Sequence, residues 1–468
     1  MTRPNILFIM SDDHAAHAIS AYGSRVNSTP HIDRLAAGGM RVDNAFCTNA
    51  LCAPSRATIL TGTYNHVNGV TTLPTDLDNR QPTFVSALHD AGYATGIVGK
   101  WHLGHGPRHD PRGFDHWMVL PDQGDYHDPV FIDNGVERRI PGYVTDLTTD
   151  LAIDWLDRQT GPFCLLVHHK APHRPWLVDD AHAGMYDDVD IPLPDTFFDD
   201  YANRAEAARA ATMRVARDLG DEDLKQPVPP GLTAEQEARW KYRRYLQDYL
   251  GCVAGVDDSV GRLLDHLDAR GRSDDTIVVY TSDQGFFLGD HGWYDKRFMY
   301  EESLRMPLLV RYPREIPAGA RTDAMVSNVD FAQTFLDYAG VPAPDRMQGR
   351  SLRGVLAGDT PSDWRRAVYY RYWEHGDHNH HVRAHYGVRT HRYKLIFYYS
   401  DGLGLPGTSD RRYPPEWELF DLQSDPAELR NVYDDPAYRE VRDELTALLS
   451  SMQDEVGDRA WQEPAEVG

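Results

Sequence analysis

The chain has 468 residues, and 48 Lys and Arg against 71 Asp and Glu leave a formal charge of −23. That balance argues against nucleic acid or an anionic membrane as the main partner, although a local basic pocket can still take a small anion. Hydrophobic residues at 41% and aromatics at 11% support a sizeable core and exclude wholesale disorder, and no apolar run nears the roughly 20 residues that span a bilayer.

Residues 6–10 read as a buried strand that stops at Ser11-Asp12-Asp13. This run is too short for a signal-peptide core and lacks a small-residue cleavage site. Four cysteines (Cys47, Cys52, Cys164, Cys252) are too few for a disulfide framework. A cytoplasmic protein is the expectation. Residues 31–40 look helical and 41–46 strand-like. A helix is expected at 83–92 and a strand at 94–99, then a helix at 145–159 and a strand at 163–168. A long helix follows at about 235–269, then a β-branched strand at 276–280, typical of burial on both faces. Another strand is expected at 306–312 and a helix at 329–338. Two stretches look like irregular insertions: 104–142, rich in Asp, His, Pro and Gly, and 187–231. This alternation predicts an α/β fold: a large, mostly parallel sheet sandwiched by helices.

After about residue 345 the pattern changes. Aromatic, β-prone runs at 367–373, 384–390, 393–399 and 417–421 precede a helix at 438–456. They predict a smaller C-terminal antiparallel sheet with one covering helix. The expected domains are therefore 1–345 (α/β, catalytic) and 346–468 (a C-terminal α+β subdomain).

Chemistry-bearing residues gather where strands end, which is where open α/β sheets bind ligands. Asp12 and Asp13 close the first strand, and Asp283 and Gln284 follow the strand at 276–280. Three carboxylates and an amide oxygen form an all-oxygen set, suited to calcium or magnesium rather than zinc. Cys52 opens a helix-like run beside Arg56, a positive microenvironment. Lys100 and His102 follow a third strand; the glycine spacing before them is not that of a phosphate-binding loop. His173 stands between two prolines that stiffen its backbone and is a candidate general acid. His291 and Lys296 are candidates to reach back over the site. Each has a bland alternative on its own: a solvated turn for the carboxylate pair, a structural thiol for Cys52, a loop-stabilising histidine for His173. Taken together, a hard cation with Arg56, Lys100 and Lys296 makes a strongly positive pocket for a tetrahedral oxyanion.

The sequence resembles the type I, formylglycine-dependent sulfatases of the alkaline phosphatase superfamily. Cys52-Ala53-Pro54-Ser55-Arg56, continuing to Thr61-Gly62, is similar to the family's first signature, and Gly92 to His102 to its second. The resemblance covers nearly the whole chain and implies an alkaline-phosphatase-like fold and a sulfuric ester hydrolase. It implies that a formylglycine-generating enzyme oxidises Cys52 to formylglycine, whose hydrate supplies the nucleophilic oxygen. Asp12, Asp13, Asp283 and Gln284 would hold calcium, less often magnesium, with residue 52 completing the set. Arg56 would stabilise the hydrate, while Lys100 and Lys296 would bind the sulfate oxygens. His173 would protonate the leaving alcohol, and His102 would take the proton whose loss expels sulfate by carbon–oxygen cleavage at residue 52. Lys100, His173, His291 and Lys296 form the expected substrate-binding set. Many members carry Asn or His where Gln284 stands.

The stretch 280–307 looks most like bacterial sulfatases of sulfated sugars, with N-acetylglucosamine-6-sulfatases nearest. The expected substrate is a small anionic sulfate ester, a saccharide or an aryl sulfate. The histidine-rich loop from His375 to His381 is a candidate to enter the site mouth and select the sugar, with Trp101, Trp176 and Trp293 as further sugar contacts. Two alternatives accompany this reading: a phosphodiester or phosphonate monoester hydrolase on the same scaffold, and a non-catalytic sulfated-glycan binder if Cys52 stays unmodified. The C-terminal subdomain would permit a homo-oligomer.

Overall fold

The computed structural model describes residues 3–463. Its centre is a ten-stranded sheet in the order Ala320–Thr322, Met40–Val42, Leu308–Arg311, Thr276–Ser282, Asn5–Ser11, Phe163–His168, Ala94–Lys100, His116–Leu120, Val130–Asp133 and Val136–Arg139. The five strands from Thr276–Ser282 to His116–Leu120 run parallel. Three of them (Asn5–Ser11, Phe163–His168 and Thr276–Ser282) are buried along their whole length, as strands covered on both faces must be.

Alternation along the strands assigns the helices to the two faces. Phe8 packs edge-on against Phe331 and Phe335 of the Phe331–Ala339 helix. The opposite face is crowded at Gly96, where a Cβ would lie 2.7 Å from Trp155 of the Val144–Asp157 helix. That helix packs on Ala234–Ala269, the longest in the chain at 36 residues or about 54 Å. A capping box explains where the long helix begins: the Thr233 side chain accepts from the Gln236 amide, and Gln236 returns the bond to the Thr233 amide.

Four antiparallel strands, Ala367–Tyr372, His385–Thr390, Tyr393–Tyr398 and Glu416–Asp421, make a separate sheet. The Arg439–Val456 helix covers it through Leu445 and Leu449, which share an apolar cluster with Tyr369, Val388 and Leu395.

Two expectations need correction. The single strand over 41–46 is two short pieces, Met40–Val42 and Ala45–Phe46, in different sheets. The stretch 104–142 is not irregular throughout, because three of its segments extend the main sheet. Asn134-Gly135, both at positive φ, make the tight turn between the last two. The other insertion, 187–231, holds only short helical turns such as Glu206–Ala210 and Asp221–Leu224.

Candidate active site

The parallel register sets the site. Ser11 pairs with Ser282 as the last rung of two neighbouring strands, so Asp12-Asp13 and Asp283-Gln284 leave the sheet side by side. The Asp13 amide lies 3.3 Å from Asp283 Oδ1. Asp13 itself has φ of 68°. The long helix holds it there: the Tyr249 hydroxyl donates to the Asp13 carbonyl at 2.8 Å and accepts from the Ala15 amide at 2.9 Å.

Cys52 is the first residue of the Cys52–Thr61 helix, and its Sγ stands 3.3 Å from Asp12 Oδ1. Arg56, one turn on, is almost wholly buried. Its guanidinium lies 3.0 Å from Asp283 Oδ2 and 3.6 Å from Asp12 Oδ2, and it also donates to the Lys100 carbonyl at 3.0 Å. Ser55 fastens the same turn by donating to the Asp283 carbonyl and accepting from Asn328.

Lys100 ends its strand with its ammonium on Asp12 and on the Gln123 side-chain oxygen. Gly99 makes this approach work. A Cβ there would fall 2.0 Å from the His168 carbonyl oxygen, and φ is 102°. Lys296 Nζ reaches Asp13 at 2.7 Å. His173 Nε2 is 3.8 Å from Asp13 Oδ2, while its Nδ1 meets the Arg174 carbonyl at 2.7 Å. His102, at φ 55°, places Nε2 3.4 Å from the Gln123 amide nitrogen, and its buried Nδ1 has no partner.

Arg56, Lys100 and Lys296 match Asp12, Asp13 and Asp283 in number, and burial and charge divide the acids. Burial opposes ionisation of Asp12, but Lys100, with His173, Arg56 and Lys296, holds its carboxyl well below the usual range. Burial lifts Asp13 to about 7 against the pull of Lys296, and it lifts Asp283 to about 6, helped by Asp12. Burial, then Lys100, pushes the His102 and His173 pKa values down. Burial also raises the Cys52 thiol, so the unmodified side chain is a neutral thiol and not a thiolate.

The donor set suits a hard divalent cation. Carboxylate oxygens of Asp12, Asp13 and Asp283 lie within 4.8 Å of one another, as do ligand atoms of Asp12, Cys52 and His173. Gln284 gives its amide nitrogen to Asp13, and its Oε1 is buried without a hydrogen-bond partner. Oxygen donors of this kind are what calcium and magnesium take. A divalent ion there would add two further positive charges to a site in which three cations already face three acidic side chains.

A cleft of about 720 Å³ opens beside His173, lined also by Gln123, Tyr126, Lys170, Thr212 and Asn379. Asn379 belongs to the histidine-rich C-terminal loop, so that loop does border the site mouth. A second cleft of similar size, near Arg371 and Trp461, shares no residue with it.

Asp12, Asp13, Cys52, Arg56, Lys100, His102, His173, Asp283, Gln284 and Lys296 thus come together. His291 does not join them. It is buried elsewhere, with Nδ1 3.1 Å from Asp199, Nε2 3.9 Å from Glu302, and Trp293 and Tyr300 around its ring. Trp101, Trp176 and Trp293 are also buried in the core and offer no sugar-stacking face. Sequence reasoning missed Gln123 and Tyr249. Neither sits in a recognisable motif. It passed over Lys170 too, whose place beside the proline-flanked His173 was the available signal.

Comparison with known proteins agrees with this geometry. The family model described as Sulfatase matches residues 4–341, and one described as N-sulphoglucosamine sulphohydrolase, C-terminal, matches 289–455. The chain is 42% identical to an N-acetylglucosamine-6-O-sulfatase of Bacteroides thetaiotaomicron over 97% of its own length and 87% of that protein's. It is 28% identical to human N-acetylglucosamine-6-sulfatase, over 80% of this chain and 68% of that one. A solved structure holding its substrate D-glucosamine-2-N,6-O-disulfate superposes with a TM-score of 0.93 at 41% identity, covering both chains completely. The phosphonate monoester hydrolase of Agrobacterium radiobacter shares the fold, with a TM-score of 0.74 at 24% identity, covering 100% of this chain and 99% of that one.

Proposed function

We propose, from the premise that the chain belongs to the sulfatase family and is a sulfuric ester hydrolase, that it removes the 6-O-sulfate of a glucosamine-type saccharide. The observation that carries the reaction is the placement of Cys52 at a helix start, 3.3 Å from Asp12, with Arg56 one turn on bridging Asp12 and Asp283. The similarity to an N-acetylglucosamine-6-O-sulfatase along nearly the whole chain supports the choice of sugar and sulfate position.

In this reading Cys52 is oxidised to formylglycine by a formylglycine-generating enzyme, and its hydrate supplies the attacking oxygen. Asp12, Asp13, Asp283 and Gln284, with residue 52, would hold a calcium or magnesium ion, which would supply positive charge toward the sulfate. Arg56 fixes the orientation of residue 52 and neutralises its oxygen. Lys100 and Lys296 turn from their carboxylates toward the sulfate oxygens. His173, at the cleft wall, gives its proton to the leaving alcohol oxygen. Its depressed pKa is opposed by the negative charge that a sulfate ester brings beside it. His102 holds the proton that residue 52 must lose to release sulfate, and Gln123 orients both His102 and Lys100.

The test is a sulfate-release assay over glucosamines sulfated singly at the 6-O, 3-O or 2-N position, with calcium present. Turnover of the 6-O ester above the others supports the reading. Preference for another position overturns the substrate assignment. A matched phosphate monoester, doubly charged, should give a far lower kcat/KM than the singly charged sulfate ester.

A further inference from the structure

Lys296 sits between two residues in the left-handed region, Asp295 at φ 74° and Arg297 at φ 94°. Both carry a Cβ, so the backbone resists this shape and must be held in it. The holding groups come from one carboxylate and from the C-terminal region. Asp295 Oδ1 accepts from the Lys296 amide at 2.8 Å and from Arg297 Nε at 3.2 Å. Arg297 donates to the Tyr372 hydroxyl and to Glu374, both at 3.1 Å, and its carbonyl accepts from Tyr370 at 2.6 Å.

The other oxygen of Asp295 faces His380. Nε2 of that ring lies 3.4 Å from Asp295 Oδ2, and Nδ1 lies 2.8 Å from Asp377 Oδ2. All three side chains are buried. The loop around His380 has its own supports. Asp377 Oδ2 accepts from the amides of Asn379 and His380, and Thr212 donates to the carbonyls of Asn379 and His380. Asp377 and Thr212 together therefore anchor the loop, and the contact from His380 to Asp295 is additional to that anchoring. Burial and Arg297 work against a charged His380, but Asp295 and Asp377 raise its pKa.

We propose that His380 is a positioning residue for Lys296, acting through Asp295, so that a loop of the C-terminal region completes the sulfate pocket. This rests on the reading that Lys296 binds sulfate oxygens. Displacing such a group by about 1 Å costs on the order of 100-fold.

The test compares His380→Ala, His380→Asn and His380→Gln with the wild-type enzyme. Asn keeps a donor near the Nδ1 position, facing Asp377, and Gln keeps one near Nε2, facing Asp295. Inorganic sulfate affinity by calorimetry, kcat and KM for the 6-O-sulfated sugar, and the melting temperature are measured. His380→Ala and His380→Asn should weaken sulfate binding and raise KM by about 10- to 100-fold, with a smaller effect on kcat. His380→Gln should stay within roughly threefold of wild type, a small fraction of that misplacement cost. Unchanged sulfate affinity in His380→Ala overturns the proposal. So does rescue by Asn but not Gln, which would mark a loop anchor, or equal loss in all three. If the wild type releases no sulfate, the functional reading falls, while sulfate affinity across the variants still decides the role of His380.

Discussion

Arg56 offers the sharpest energetic test because it is a buried cation shared by two buried carboxylates. Replacing it with Ala leaves Asp12 and Asp283 without a partner they touch at 3.0–3.6 Å. Breaking a buried ion pair from one side costs about 3–5 kcal/mol. A chain of 468 residues has an unfolding entropy of roughly 1 kcal/mol/K, from about 2.1 cal/mol/K per residue. The melting temperature of chelator-treated Arg56→Ala should therefore fall by about 3–5 °C. Calorimetry in chelator isolates this effect, since no divalent ion then takes over part of the charge. Arg56→Lys keeps the charge but not the geometry that spans Asp283, Asp12 and the Lys100 carbonyl. Its kcat/KM with calcium should drop by about 10²–10³-fold. An Arg56→Ala protein that melts within about 1 °C of wild type would refute the reasoning.

Other consequences follow from the same geometry. Mass spectrometry of the peptide holding residue 52 should show an aldehyde in active protein, and fully active protein with an intact thiol there would remove the nucleophile from the account. Calcium at about 100 times its Kd should raise the melting temperature by about 3 °C, from roughly 2.7 kcal/mol of linkage, and Asp283→Asn should abolish that shift; a shift that survives the substitution places the ion elsewhere. Gly99→Ala would push the Lys100 strand off the His168 carbonyl, so it should lower kcat/KM by at least about 100-fold; near-wild-type activity would show that the close approach does not set Lys100. Burial depresses His385 to about 3. Its folded pKa thus lies below the unfolded value of about 6.5, so the unfolded chain takes up its proton first and stability is lost as pH falls below 6.5. From pH 7 to 5 this amounts to about 2 kcal/mol. His385→Phe, which keeps the stacking with Tyr370 and Tyr372, should lose that much less than wild type over the interval; equal losses would show that His385 is not held neutral.

The strand tips were legible in the sequence because strands buried on both faces read as unbroken apolar runs, and the polar residues that end them are the ones that meet at the sheet edge. Asp12 and Asp283 are far apart in sequence, yet each terminates such a run. The edge of the sheet was harder to read. His116–Leu120 and the hairpin beyond it lie in a stretch rich in Asp, His, Pro and Gly, and the Asn134-Gly135 signal between two short β-prone runs was overlooked. His291 shows another limit. It lies five residues from Lys296 in sequence, but the turn through Gly289 (φ 90°) and Gly292 (φ 72°) points it at Asp199. Gln123 left no trace, since a lone glutamine in a loop carries no periodicity and no motif.

The most direct measurement is sulfate released from N-acetylglucosamine 6-sulfate, with calcium, by wild-type protein and by Cys52→Ala prepared in the same host. The expectation is multiple turnovers for the wild type and only the buffer's background for the variant. Equal release by the two proteins would contradict it, because no other residue of the site stands ready to take the place of side chain 52.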